Sequence, residues 1–135
     1  MKNIRLLLIM TAFAASCTSC TPDYDYRSTT KEFISNGSWK IDYFFTSEDK
    51  TNEFNSYEVR FHADGTLSVV SSNQSHSGSW NVIRDTKGSE VLTINVQEQP
   101  NLAELSNRWL VQEKNSNRFL LAAPTTQYQL HIRQL

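Results

Sequence analysis

From Gly37 to Gln134 the chain alternates between hydrophobic and polar positions in short runs rich in β-branched and aromatic residues. Such runs, with turn signals about every eight to twelve residues, are typical of antiparallel β proteins. The pattern predicts eight strands, at Gly37–Phe45, Ser56–Ala63, Thr66–Ser72, Ser77–Arg84, Val91–Gln97, Arg108–Lys114, Arg118–Ala123 and Tyr128–Gln134.

The connections between these strands are mostly short. Asp64-Gly65 and Lys87-Gly88 are tight turn signals, because glycine accepts the positive φ that such turns need. Strands joined in this way are antiparallel neighbours. A Greek-key sandwich needs a long return connection, so short connections favour an all-β, antiparallel, up-and-down eight-stranded barrel, which also leaves no exposed sheet edge.

Two segments depart from the strand pattern. Pro100–Leu105 predicts one helical turn, with Asn101 and Glu104 spaced as a capping box and two leucines to cover one end of the barrel. A lid that admits a ligand is the alternative role for this turn. Thr46–Asn55 is polar and charged apart from one phenylalanine, which predicts an open loop between the first two strands.

Alternation also assigns side chains to the inner and outer faces, with polar residues predicted on the outer face. An eight-stranded barrel is just wide enough to be filled by its own side chains or to hold one small ligand. Large aromatic residues favour a filled interior, and a small pocket is the alternative, with the tyrosine hydroxyls as its polar groups. The residues expected to bind a ligand in such a pocket are Tyr43, Tyr57, Phe61 and Trp80.

The first twenty residues, MKNIRLLLIMTAFAASCTSC, carry a different pattern. Lys2 and Arg5 precede a mostly apolar stretch, Ile4–Ala15, that is too short to span a bilayer, and small residues follow it. This is the pattern of a signal peptide. The cysteine directly after the small residues resembles the lipobox of bacterial lipoproteins, which implies acylation of that cysteine after export.

Cys17 and Cys20 are the only cysteines of the chain, so the folded body has no thiol. The residues before Cys17 fit the lipobox better than those before Cys20, so Cys17 is the expected lipidation site and Cys20 the alternative. The predicted organisation is a lipoprotein signal peptide at 1–16, a lipidated cysteine and flexible tether at 17–33, and the barrel at 34–135. A plain signal peptide or an uncleaved membrane anchor are the other interpretations of this segment.

Charge narrows the classes of partner. Loss of residues 1–16 removes Lys2 and Arg5, so the formal net charge would fall from −1 to about −3. The chain also has no run of basic residues with interleaved aromatics, and we therefore expect no nucleic-acid partner. There are only four glycines and no phosphate-binding loop, so no cofactor is predicted.

We find no constellation of residues that predicts catalysis. His62 and Asp64 are two residues apart, but no third ligand lies near them for a metal site. His76 lies between two serines without an acid spaced to orient it, and His131 is predicted on the outer face. The sequence therefore predicts no catalytic and no metal site, and a non-enzymatic protein.

Three short runs carry a family resemblance. Gly37-Ser38-Trp39 resembles the Gly-x-Trp signature of lipocalins, and the runs 59–66 and 78–82 are similar to the pattern of small lipocalin-like lipoproteins common in Bacteroidetes. The resemblance covers nearly all of residues 36–135. It implies that Trp39 closes the base of the barrel and that Arg133 packs against it in a cation–π contact. The chain departs from typical lipocalins in lacking their long C-terminal helix and their disulfides.

These observations predict a binding or accessory module, anchored by its lipid to the bacterial outer membrane and facing the periplasm or the cell surface. A small apolar ligand inside the barrel is one expectation. The alternative is a structural or assembly lipoprotein with a filled barrel, which binds an envelope protein or a glycan through its outer face or loops. An interior cavity would favour the first function, and a filled barrel with an exposed apolar or aromatic patch the second.

Overall fold

The computed structural model describes residues 26–135, with side chains from Thr30 onward. The predicted signal peptide and both cysteines lie outside the described residues. Eight strands form, as predicted, and their bounds are β1 (Trp39–Phe45), β2 (Glu58–Phe61), β3 (Thr66–Val70), β4 (Ser75–Arg84), β5 (Glu90–Asn95), β6 (Asn107–Lys114), β7 (Arg118–Ala123) and β8 (Tyr128–Gln134).

The strands form one closed antiparallel barrel in the order β1 to β8. Each strand pairs with its neighbour in sequence, and β1 pairs with β8 along a ladder from Trp39↔Gln134 to Phe45↔Gln129, which we call the seam. The all-β, up-and-down barrel predicted from the alternation and the short connections is confirmed.

The turn between β2 and β3 shows how local sequence places neighbouring strands antiparallel. Gly65 has φ 92°, which only glycine adopts without strain. The Asp64 carboxylate accepts hydrogen bonds from the backbone N–H and the hydroxyl of Thr66, at 2.9 and 2.7 Å. These local bonds reverse the chain and place β2 against β3.

One end of the barrel, the α1 end, is covered by a helix that the alternation did not predict. Helix α1 (Tyr26–Ile34) overlaps the segment expected to be a flexible tether. Its last turn is tied to the barrel, because Trp39 Nε1 donates to the Ile34 carbonyl at 2.8 Å and Lys114 Nζ donates to the Thr30 hydroxyl at 2.6 Å. Among the described side chains of α1, the apolar ones that pack on the core are Phe33 and Ile34, which are adjacent in sequence and so show no helical periodicity.

The opposite end, the α2 end, is covered by two short helices. A 3₁₀-helix (Thr51–Phe54) replaces the open loop predicted at 46–55, because the Phe54 ring is fully buried and meets Phe44 at 5.0 Å between ring centroids. Helix α2 (Pro100–Ala103) forms where one helical turn was predicted, and Leu102 is buried beneath it.

The predicted capping box of α2 is wrong. Gln99 is the N-cap residue and makes no side-chain cap hydrogen bond, and Pro100 lies at the first helical position. Proline is favoured there because its missing N–H is one that a helix start leaves unpaired. The turn therefore begins two residues before Asn101, and Glu104 is its C-cap.

Candidate functional site

The interior of the barrel is filled. A void of only about 10 Å³ remains between the inward-facing side chains, which is room for about one water molecule. Both ends are closed as well, by α1 at one end and by the 3₁₀-helix and α2 at the other. The buried core consists of Ile34, Trp39, Ile41, Phe44, Phe54, Val59, Phe61, Leu67, Val69, Trp80, Leu92, Ile94, Val96, Leu102, Leu105, Trp109, Phe119, Leu121, Ala123, Leu130 and Ile132.

The four residues predicted to bind a ligand are not brought together. Phe61 and Trp80 are both buried and pack edge to face at 5.5 Å, so they fill space instead of lining a pocket. Trp80 Nε1 donates to the His62 carbonyl at 2.8 Å. Tyr57 is half-buried and packs against Phe54, 6.2 Å away at the α2 end.

Tyr43 lies on the outer face, and the predicted inward position is wrong. The register of β1 against β8 shifts between Ile41 and Tyr43, which is a β-bulge. A bulge inserts one residue and reverses the alternation after it. Phe44 therefore enters the core, while Tyr43 stacks on Phe45 at 6.4 Å and contacts the His131 ring at 4.9 Å outside.

The cation–π pair that the lipocalin resemblance implied is not formed. Trp39 is fully buried, as a residue that closes the base would be, but its ring contacts are Phe33 and Phe119. Arg133 lies on the outer face, with Nε 3.6 Å from the Asp42 carboxylate. The seam pairs Arg133 with Lys40, so its side chain points away from Trp39.

Each of the three histidines has its own polar or aromatic neighbour. His62 Nε2 contacts the Ser68 hydroxyl at 2.8 Å, and His76 Nδ1 contacts Glu98 at 2.9 Å. His76 points inward at the α2 end, and its Nε2 has no hydrogen-bond partner among residues 26–135. In this same part of the chain, no group of three or more His, Cys, Asp or Glu residues could hold a metal ion.

A row of apolar residues lies on the outer face of the barrel. Four apolar residues on the consecutive strands β4 to β7 are paired across the sheet, as Ile83↔Val91, Val91↔Leu110 and Leu110↔Ala122. Each lies next in sequence to a residue that faces the interior, so each faces outward. We call them the outer row. Antiparallel barrels normally present polar residues on this side, so the outer row is the candidate binding surface.

A pocket of about 370 Å³, here the wall pocket, lies over the outer row. Val91 and Leu110 line it between the β4–β5 turn and the turn after β7. Val91 is only 6% exposed, yet it is outside the buried core cluster, so it is covered from the outer side. The lining residues are Asp85, Thr86, Lys87, Ser89, Val91, Asn107, Arg108, Leu110, Pro124 and Thr125.

The charged groups of the wall pocket are two cations and one anion. The Asp85 carboxylate accepts hydrogen bonds from the backbone N–H groups of Lys87 and Ser89, both at 2.9 Å, so it is used by the turn itself. Lys87 and Arg108 are exposed and have no ion-pair partner among the described residues. The pocket therefore combines an apolar floor with a positive rim.

The outward-facing surface that carries the outer row continues across the seam. Ala122 pairs with Gln129 and Gln129 with Phe45, which brings the outer row to the aromatic pair of Phe45 and Tyr43. Burial lowers the pKa of His131 beside this pair, and the Arg118 guanidinium lowers it further, against the raising effect of the Asp42 carboxylate.

Alternation alone missed the outer row, but the sequence does contain a signal for it. Val82-Ile83, Val91-Leu92 and Leu110-Val111 are pairs of adjacent apolar residues within strands, where strict alternation would place one polar residue. Such pairs put one apolar side chain on each face. The rest of the wall pocket could not be found this way, because it depends on turns that meet only in the fold.

The comparisons with known proteins agree with the fold. No protein-family model and no curated protein matches the chain. The crystal structure of a DUF4847 family protein from Bacteroides vulgatus ATCC 8482 is similar, with a TM-score of 0.57 and 20% sequence identity over 77% of this chain and 96% of that chain. At this identity the likeness shows the fold alone, a barrel module related in architecture to a Bacteroides protein.

No helix within residues 26–135 is long and apolar enough to cross a membrane.

Proposed function

We propose that the protein is a non-enzymatic binding module, held at the cell envelope by a lipid on Cys17, that binds its partner through the outer wall of the barrel and not through the interior. Cys20 is the alternative lipidation site. The proposal combines the export and lipobox pattern of the first twenty residues with the outward apolar surface of the barrel.

The observation that carries the binding mode is the outer row on a barrel whose interior is filled. A ligand inside would have to displace fully buried aromatic side chains such as Trp39 and Trp109. Removal of such residues from a core costs about 3–5 kcal/mol each. The outer row, in contrast, is reached from outside the barrel: Ile83, Leu110 and Ala122 are half-buried, so a partner can cover them without rearranging the core.

Wall binding is tested with the unlipidated full chain, carrying Cys17→Ala and Cys20→Ala, and envelope vesicles prepared from its host. Leu110→Glu places a charge in the outer row, and Val70→Glu is the matched control, because Val70 is 37% exposed on β3, away from that row. We expect Leu110→Glu to reduce the fraction that sediments with the vesicles by about tenfold, and Val70→Glu to leave it unchanged. Equal sedimentation of both variants would contradict the proposal.

Anchoring is tested separately by labelling cells with an alkyne analogue of palmitate. We expect label on the mature chain, loss of label in Cys17→Ala and retention in Cys20→Ala. The reverse result would assign the lipid to Cys20. Label in both single variants, but not in the double variant, would indicate that either cysteine can carry the lipid. An unlabelled wild-type chain would contradict lipid anchoring.

A further inference from the structure

The size of the wall pocket fits a small molecule. Ligand sites commonly measure about 300–1,000 Å³, and the wall pocket, at about 370 Å³, lies near the lower end of that range. It is a depression between two turns, and it is more enclosed than the depressions of about 470 and 430 Å³ elsewhere on the described barrel. A compact ligand or one short chain would occupy it.

The apolar residues on the floor of the wall pocket indicate that the ligand has a hydrocarbon part. Val91, Leu110 and Pro124 offer aliphatic surface without a polar group of their own side chains. Burial of an alkyl chain on such a floor gains about 0.8 kcal/mol for each methylene removed from water. A wholly polar ligand would leave this gain unused.

The charged residues at the rim of the wall pocket indicate the polar group of the ligand. Lys87 and Arg108 bring two positive charges to one pocket, and Asp85 is already engaged by backbone N–H groups. A guanidinium binds a carboxylate with two parallel hydrogen bonds, and an ammonium adds a point charge. The two positive charges disfavour a cationic ligand, and a neutral ligand could form only the weaker hydrogen bonds that an uncharged acceptor makes with them.

We propose that the wall pocket binds a small amphipathic organic anion, with its hydrocarbon part on Val91 and Leu110 and its acidic group at Lys87 and Arg108. This assignment rests on the proposed function, since it names the class of ligand for the same outer wall. The free acid is the committed ligand, and an acidic group on a larger molecule is an outcome of the test.

The test uses the unlipidated full chain and three probes whose alkyl tails differ by at most one methylene, octanoate, octyl glucoside and octyltrimethylammonium, each below its critical micelle concentration. Backbone amide shifts in NMR report the place of binding, and calorimetry the affinity. We expect octanoate to shift the amides of Val91 and Leu110, to bind at least about tenfold more tightly than octyl glucoside, and to weaken with added salt. Octyltrimethylammonium should not bind.

The variant Lys87→Gln/Arg108→Gln keeps exposed polar side chains, so its fold should be intact, and we expect it to lose the preference for octanoate over octyl glucoside. Arg60→Gln is the control, because Arg60 lies on β2, opposite β6 in the barrel. Equal affinity of octanoate for wild type and the double variant would overturn the assignment of the anion.

The outcomes separate this inference from the proposed function. Octyl glucoside binding as tightly as octanoate at Val91 and Leu110 would overturn the anion class and leave wall binding in place. Amide shifts confined to inward-facing residues such as Leu92 and Ile94 would overturn both. Absence of octanoate binding, with vesicle sedimentation still lost in Leu110→Glu, would overturn the free acid and point to a macromolecular partner on the same wall.

Discussion

Lys50 Nζ contacts both carboxylate oxygens of Glu104, at 2.8 and 3.0 Å. The pair joins the residue before the 3₁₀-helix to the residue that ends α2, so the two coverings of the α2 end are held to each other. The hydrogen bond to Glu104 is the main reason that the pKa of Lys50 is raised, and the desolvation of the ammonium opposes it. The barrel end is thus closed by apolar packing below and by an ion pair above.

We expect Glu104→Gln to cause a small loss in the free energy of unfolding, well below that of a core substitution, because the pair is accessible to water and screened by salt. Urea unfolding at low and at high salt measures it, and the difference from wild type should shrink at high salt. Glu113→Gln is the control, as an exposed carboxylate with no ion pair among the described residues. A loss that does not change with salt would argue against an electrostatic contribution.

Phe54 provides the apolar part of the same closure. Its ring is fully buried and meets Phe44 and Tyr57 at 5.0 and 6.2 Å. We expect Phe54→Ala to reduce the free energy of unfolding by about 3–5 kcal/mol, because it removes a buried ring and leaves a cavity. Asn55→Ala, at the exposed neighbouring position, should change it little. A loss below about 1 kcal/mol in Phe54→Ala would mean that the barrel does not depend on this covering.

Gly78 on β4 lies against the end of β5. A Cβ atom there would overlap the Asn95 carbonyl oxygen and would lie 2.7 Å from Val96 Cγ2. The obstacle is backbone, which cannot rotate away, so we expect Gly78→Ala to cost about 1–3 kcal/mol in unfolding free energy. Ser77→Ala, exposed on the same strand, is the control. Thermal or urea unfolding measures both, and equal stability of the two variants would contradict the close approach of β4 and β5.

His131 makes stability depend on pH. Its folded-state pKa lies below the ordinary value of 6.5, first through burial and then through Arg118. The unfolded state therefore takes up a proton at a higher pH than the folded state, so this contribution is complete above pH 6.5 and is lost as the pH falls below it. Unfolding free energies measured between about pH 7 and 5.5 should decline less in His131→Gln than in wild type.

Arg118→Gln provides the second check on His131. Loss of the guanidinium should raise the pKa of His131 in an NMR titration, because one of the two effects that lower it is removed. An unchanged titration in Arg118→Gln, together with the wild-type pH dependence in His131→Gln, would show that His131 is not the group that titrates.

The strands were predictable because the alternation and the turn signals that define each of them lie within a few consecutive residues. β7 and β8 have the predicted bounds, since turn signals lie on both sides of β7 and the turn after β7 also precedes β8. The bulge between Ile41 and Tyr43 was not predictable, because it depends on the register between β1 and β8, whose residues are far apart in the chain. The faces assigned after the bulge were therefore reversed, and Phe44 was missed as a core residue.

The functional surface was predictable only in part. The alternation recognised one apolar face for each strand and a filled interior, but it assumed a polar outer face. Adjacent apolar pairs such as Val91-Leu92 contradict that assumption within a single strand. The convergence of Lys87 and Arg108 on one pocket requires two turns and two strands to meet, which no local pattern contains.

The seam between β1 and β8 also determines how the chain can fold. Seven of the eight ladders join strands adjacent in sequence, so they can form early and locally, whereas the seam brings Trp39 to Gln134 and encloses the whole barrel sequence. Because the entropy of loop closure grows only with the logarithm of loop length, joining the seam costs just about 2–3 kcal/mol more than closing a hairpin. Until the seam is joined, β1 and β8 are open sheet edges that can pair with another molecule, so the last step of folding is the step at which this chain competes with aggregation.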